Sequence, residues 1–251
     1  MKLQHVHKLD TDKALSDLQV NMSNALTRSA HSLSLSEKRI VAACIAKTDQ
    51  IQNLIQVRER GAWRVRLSAA DYAKTFDVDM NTAYEQLQEA SENLFNRYIR
   101  TTRNTRMGVE EYKFRWVGGV RYHKGEGWVE LDWWHEVVPH LFGLRDSFTK
   151  YKLKQAAALR SSYSWRMFEV LQSWMNKGRY TPTIEEFCMA MDVPESYTKN
   201  FKEVRRRVIE PAVKELIDKN NLLIDWKTTN AGRKVIGLEF KFRENPQQKL
   251  V

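Results

Sequence analysis

No apolar run in the 251 residues approaches the ~18 that a membrane-spanning helix needs, so a transmembrane protein is not expected. The opening Met1-Lys-Leu-Gln-His-Val-His-Lys lacks the apolar core of a secretion signal, which points to a cytoplasmic protein. Only two cysteines occur, Cys44 and Cys188, without CxxC spacing. Each sits in an apolar helical pattern and is expected to be a buried packing residue. None of the 10 glycines opens a GxxxxGK[ST] loop, so ATP-driven work is not expected, and no cofactor or metal is implied.

What is present suits a folded polyanion binder. Hydrophobic residues make up 42% and aromatics 11%, enough for real cores. The net charge is +10, and it is unevenly spread. Residues 151–251 hold 19 Lys/Arg against 12 Asp/Glu, whereas residues 1–150 hold 22 against 19. The basic excess therefore lies mostly in the second half, where a nucleic acid is the first partner to consider.

Two stretches 115 residues apart share one pattern. Ser68-Ala-Ala-Asp-Tyr-Ala-Lys-Thr-Phe-Asp-Val-Asp parallels Thr183-Ile-Glu-Glu-Phe-Cys-Met-Ala-Met-Asp-Val-Pro. Each begins with a hydroxyl residue suited to a helix N-cap, then carries an aromatic (Tyr72, Phe187), a bulky apolar residue (Phe76, Met191) and Asp-Val. Each is followed by a long amphipathic segment and β-like alternation. Helix, turn, helix and hairpin make a winged helix, and two copies predict an α+β chain of two tandem winged-helix domains.

Along the chain, residues 1–30 are polar and suggest an arm with one or two helical turns. Ser34 and Glu37 have capping-box spacing ahead of a helix. The first winged helix is expected over 31–142, with strands near 97–103, 112–123 and 127–133. The passage between domains falls near 143–150, the second winged helix over 143–245, and a tail over 246–251. The two halves are expected to be separable near that passage.

The segment from Ser196 to Ile217 carries the chemistry. At about 100° per residue, Phe201, Val204, Val208, Ala212 and Leu216 share one side and Lys199, Arg206, Arg207 and Lys214 the other. Arg205 falls at the apolar edge, where its head can snorkel outward or pair with a carboxylate. Asn200 and Lys202 lie in the same stretch. Apolar residues pin such a helix to its domain while Arg and Lys reach guanine edges and phosphates. Strands around Leu222–Trp226 and Val235–Phe242 make a wing whose expected turn, Thr229-Asn-Ala-Gly, is flanked by Lys227, Arg233 and Lys234. The equivalent helix of the first half, residues 80–96, has three Glu and no Lys or Arg. Weak DNA contact there would fall to Lys74, Asn81 and a basic strand with Arg97, Arg100, Arg103 and Arg106.

Four segments together resemble the initiator (Rep) proteins of iteron-carrying bacterial plasmids. They are Ala30-His-Ser-Leu-Ser-Leu-Ser-Glu-Lys-Arg, Phe148-Thr-Lys-Tyr-Lys-Leu, Ser161-Ser-Tyr-Ser-Trp-Arg-Met-Phe-Glu-Val-Leu and Arg205-Arg-Arg-Val-Ile-Glu-Pro-Ala-Val-Lys-Glu-Leu, in family order. The resemblance implies two winged helices, binding to repeated duplex DNA at a plasmid origin, and a homodimer that represses its own promoter. It assigns main base contact to the C-terminal domain, and backbone contact and dimerisation to the N-terminal one. Host replication initiator and helicase are the implied protein partners. One departure is Leu216-Ile217 where the family often has Ile-Asn, expected to be a packing detail.

Rival functions have thinner support. His5-Val-His7 mimics the metal histidines of rolling-circle nickases but lies in a polar arm. Asp132-Trp-Trp-His135-Glu136 suits packed tryptophans with a polar edge better than an acid–base site. A winged-helix transcriptional regulator without an initiation role would use the same fold and charge. A non-enzymatic origin binder is the expectation. The aromatic-rich strands at 97–133, with Trp116, Trp128, Trp133 and, just beyond, Trp134, are either core or a surface through which two chains pair.

Overall fold

The computed structural model of the chain describes residues 13–48, 64–142, 144 and 147–246. After a 3-10 turn at Leu15–Asp17, the N-terminal half runs through β1 (Gln19–Ser23), α1 (Asn24–Arg28) and α2 (Leu35–Thr48). The capping box forms: Ser34 N–H donates to Glu37 Oε2 at 2.8 Å and Glu37 N–H to Ser34 Oγ at 3.3 Å. Then follow β2 (Arg64–Ser68), α3 (Ala69–Phe76), α4 (Met80–Leu94), β3 (Tyr98–Thr105), β4 (Gly108–Arg115), β5 (Val117–His123) and β6 (Trp128–Trp133). The C-terminal half contains β7 (Phe148–Lys152), α5 (Leu153–Ala157), α6 (Ser162–Gln172), β8 (Arg179–Tyr180), α7 (Ile184–Ala190), α8 (Glu195–Thr198) and α9 (Phe201–Val204). A π-helical turn (Arg205–Ile209) joins α9 to α10 (Glu210–Asn220), and β9 (Leu222–Ala231) and β10 (Lys234–Glu244) complete the fold.

The two three-stranded sheets have orders β2-β6-β5 and β8-β10-β9, all antiparallel. In each, the first strand pairs with the last and the last with its predecessor, so the winged-helix arrangement occurs twice. The likeness extends to single atoms. Ser68 Oγ caps α3 by accepting from Asp71 N–H at 3.0 Å, and Thr183 Oγ1 caps α7 by accepting from Glu186 N–H at 3.1 Å. Asp77 and Asp192 both adopt φ of 51°, the left-handed conformation that Asp tolerates better than most residues. Behind them, Val78 N–H bonds to Ala73 O and Val193 N–H to Cys188 O. Tyr72, Phe76, Phe187 and Met191 are all buried, as are both cysteines.

Several expectations give way. Residues 19–30 are not a solvated arm: β1 pairs with β7 from Gln19↔Lys152 to Ser23↔Phe148, across the expected passage at 143–150. The described segment buries Val20, Met22 and Leu26, whose spacing is too short to register as a period. Four strands, not three, follow α4, because β3 and β4 form a hairpin of their own inserted ahead of the wing strands β5 and β6. Trp116 and Trp133 are core, and Trp128 and Trp134 are partly covered. The exposed apolar residues of this region are Tyr98, Met107, Val109 and Tyr112, all on or at the turn of the β3–β4 hairpin. Tyr84 on α4 and Phe95 at its C-cap are exposed too.

Three of the four resembling segments converge at a buried charged cluster between the halves. Lys38 Nζ meets Glu169 Oε2 at 2.5 Å, and both side chains are at least 96% hidden. Burial pulls the Lys38 ammonium down to about 8 against the opposing pull of Glu169. Glu169 Oε1 also accepts from Tyr151 Oη at 2.7 Å and Trp165 Nε1 at 3.2 Å. Arg166 donates to the Thr27, Ser29 and Ala190 carbonyls, tying α1 and α7 to α6. Each repeat's Asp turn is also gripped from the other half. Asp192 Oδ2 accepts from His31 and Ser32 N–H at 2.7 and 2.9 Å, and Arg160 reaches Asp77 at 3.7 Å and Phe76 O at 3.1 Å.

Candidate nucleic-acid interface

The helix expected over 196–217 is interrupted. Tyr197 and Thr198 belong to α8, Lys199 closes it, and Asn200 restarts the chain by capping α9, its Oδ1 accepting from Lys202 N–H at 3.0 Å. From Phe201 the helical backbone then runs unbroken to Asn220 through the π-helical turn, where Glu210 N–H bonds to Arg205 O, five residues back. Pro211 explains the wide turn: it has no N–H to give, and its ring would crowd the Arg207 carbonyl in a regular α-helix. The slack places Val208 and Ile209 together in the core with Val204, Ala212, Val213 and Leu216. Ile217 is 41% exposed while Leu216 is buried, so the departure from the family pattern falls partly on the surface and partly in the packing.

Arg205, Arg206 and Arg207 all emerge at that turn and are exposed. None is a bare charge. Arg205 Nε donates to Glu210 Oε1 at 2.7 Å and its guanidinium lies 5.8 Å over Trp226, which fits its place at the apolar edge. Arg206 Nη2 reaches Glu203 at 3.1 Å, and Arg207 Nε reaches Glu203 at 2.6 Å while sitting over Tyr197. Glu203 and Glu210 were not among the residues singled out from sequence, although spacings of three to five residues from the arginines carried the signal.

The wing is built on Phe240↔Trp226 and Phe242↔Ile224 pairs. Its turn is not Thr229–Gly232. β9 continues to Ala231, and Gly232–Arg233 form a two-residue loop with Gly232 at φ of 60°. Arg233 and Lys234 stand exposed at this tip, whereas Lys227 is tied to Glu239 at 3.3 Å. The Trp226–Arg205 contact puts β9 of the wing beside the arginine turn, and the Arg207–Tyr197 contact puts α8 beside it too.

Lys74, Asn81 and Arg103 come from three separate elements: α3, the first turn of α4 and the β3–β4 hairpin. Lys74 and Asn81 are exposed, and Arg103 pairs with Glu110 at 3.3 Å. The outer face of α4 presents Glu85, Glu89 and Glu92. Among the described residues, no cluster of three or more His, Cys, Asp or Glu is placed to hold a metal ion, and no helix is long and apolar enough to cross a membrane. Trp133 donates to Thr48 Oγ1 within the core, and His135 pairs with Glu136 on the surface. His5 and His7 lie outside the described residues.

A repeated winged helix with a basic run on the second copy defines a tandem winged-helix protein. Residues 19–172 match the family described as Initiator Replication protein, WH1, and residues 183–242 match Initiator Rep protein, WH2. The chain belongs to this replication initiator family. It is 25% identical over 244 residues to a replication initiation protein of Escherichia coli, covering 94% of this chain and 73% of that one. A 27.6 kDa protein of Escherichia coli, itself uncharacterised, is 26% identical over 228 residues, 88% of this chain and 95% of that one. The fold is also that of the Pi initiator protein crystallised in complex with iteron DNA, with a TM-score of 0.70, 20% identity, and coverage of 92% and 99%.

Proposed function

We propose that the chain is a non-enzymatic plasmid replication initiator that binds repeated duplex DNA at its origin. The observation that carries this is the exposed Arg205–Arg207 turn, braced on Trp226 beside a wing with Arg233 and Lys234 at its tip. The solved likeness to an initiator bound to iteron DNA supports it. The C-terminal winged helix reads bases through Lys199, Asn200, Lys202 and the three arginines, with Lys227, Arg233 and Lys234 on phosphates. Several copies on adjacent repeats bend the duplex and strain its neighbourhood, and the host's initiator and helicase complete opening in the cytoplasm. A footprint on the replicon that encodes the chain tests this. Protection of tandem direct repeats is expected; protection of one inverted repeat over a promoter alone would leave a regulator.

The N-terminal winged helix has a different job, because three glutamates on α4 repel phosphate. It contributes weak backbone contact from Lys74, Asn81 and Arg103, and it pairs two chains. Among the described residues, β4 has a partner on one side only, with Val109 and Tyr112 exposed, a geometry open to strand addition. Such a dimer suits an inverted operator and autorepression, and it limits initiation at direct repeats, which take monomers. Sedimentation across a concentration series should show a dimer that Val109→Lys abolishes. A wild-type chain that stays monomeric at high micromolar concentration would remove the dimer and leave origin binding intact.

A further inference from the structure

The carboxylates on the recognition run hold the arginines by particular nitrogens. Glu203 Oε2 accepts from Arg207 Nε at 2.6 Å, and the two Glu203 oxygens accept from Arg206 Nη2 at 3.3 and 3.1 Å. One carboxylate therefore serves two consecutive guanidiniums. The Glu203 side chain is 27% exposed while those of Arg206 and Arg207 are 59% and 48% exposed, so the acid sits beneath and the cations above. These hydrogen bonds hold the Glu203 carboxyl below the usual carboxylate range, and it is ionised at neutral pH.

We propose that Glu203 is a specificity-determining positioning residue, which fixes Arg206 and Arg207 in orientations that address guanine and withholds them from phosphate. The inference rests on the duplex-reading function above. A guanidinium has five N–H donors in a rigid fork. Arg207 bound to Glu203 through Nε keeps its two terminal nitrogens outside that bond, and these are the pair that a guanine O6/N7 edge accepts. Arg206 keeps Nε and Nη1. A side chain already fixed loses less rotamer freedom when it meets its base. A phosphate at an arbitrary place on the backbone requires the arginine to swing away, which breaks charge-assisted bonds to Glu203. The acid also removes one unit of positive charge from the DNA-facing run, which lowers affinity for every duplex regardless of sequence. Specific binding is thus favoured by orientation and indiscriminate binding is suppressed by charge.

The test is selection from a randomised duplex pool by wild type, Glu203→Gln and Glu203→Ala, with affinity for one scrambled duplex measured across a salt series. Glu203→Gln is nearly isosteric, and the thermal transition of each variant shows that it folds. Wild type should enrich a motif, and both variants should enrich it with less information at its guanine positions. Affinity for the scrambled duplex should rise about threefold to tenfold at low salt, with a salt slope steeper by about one. An unchanged motif with unchanged information would overturn the positioning role. A change confined to one position, with a new preferred base, would overturn it too, because Glu203 would then be reading that base itself. A wild-type chain that enriches no motif would sink the duplex-reading function, and this role with it.

Discussion

Arg206 and His31 show how differently a charge-capable side chain is used at the surface and in the interior. Arg206 meets Glu203 one turn away in an exposed contact, so its truncation should barely move stability. Arg206→Ala should instead cost about 1–3 kcal/mol on repeat DNA and less on a scrambled duplex. Equal losses in a binding titration would reduce it to a phosphate contact. His31 is buried, with Nε2 at 2.6 Å from Leu26 O and Nδ1 at 3.0 Å from Arg166 Nη1. Nε2 therefore donates and Nδ1 accepts, which is the neutral ring. Lys38 lies 3.4 Å from the same Nδ1, so burial and two cations push the imidazole well below its ordinary 6.5. The unfolded chain then takes up this proton before the folded one does. Stability from His31 is complete above pH 6.5 and is lost as pH falls below it, by at most about 1.4 kcal/mol per unit. Denaturant titrations at about pH 7.5 and 5.5 should show the loss. His31→Gln should reduce it to the share that half-buried His140, lowered in the same direction, still contributes.

At the scale of elements, the wing tip and the recognition run should respond differently. Lys234 is exposed beside the Gly232–Arg233 loop and lies at the start of a strand. Lys234→Ala should weaken binding to repeat and scrambled DNA alike and flatten the salt slope by about one, as loss of a phosphate contact does. Unequal losses would make the wing a base reader. The elements that carry this chemistry were legible because their signals are local: hydroxyl caps at Ser68 and Thr183, Asp-Val turns, and alternation in β9 and β10. The interruption at Asn200 was hidden, because an N-cap inside a longer amphipathic pattern leaves the periodicity almost intact. The exact turn of the wing was missed since Thr229-Asn-Ala-Gly has turn composition, while the pairing of Phe240 with Trp226 sets the register two residues further on.

The molecule as a whole holds its halves together with groups that look, in sequence, like solvated charges. Arg166 and Glu169 also pair with each other three residues apart, as a solvated helix face would, but their partners His31 and Lys38 lie 135 and 131 residues away, so nothing local announces burial. The same distance effect hid the β1–β7 pairing. Glu169→Ala should cost about 3–5 kcal/mol, because it leaves a buried ammonium without its counterion. Calorimetry of the wild-type chain should show one cooperative transition, and two resolved transitions would return the halves to independence. A fragment beginning near Gly143 loses the partner of β7 together with Lys38, and it should fold poorly on its own.

The reciprocal grip on the two Asp turns has a consequence for descent. Asp192 caps the loop that leads into α2, and Asp77 receives Arg160 from the loop that leads into α6. If the two winged helices arose by duplication, each copy has since become part of the other's scaffold. Neither can drift, or be exchanged between relatives by recombination within 173–182, without its counterpart's loop changing to match. Chimeras joined there should inherit a DNA-reading head but a mismatched seat for it. Lineages of such a protein would therefore be expected to pass on both halves as a single heritable unit.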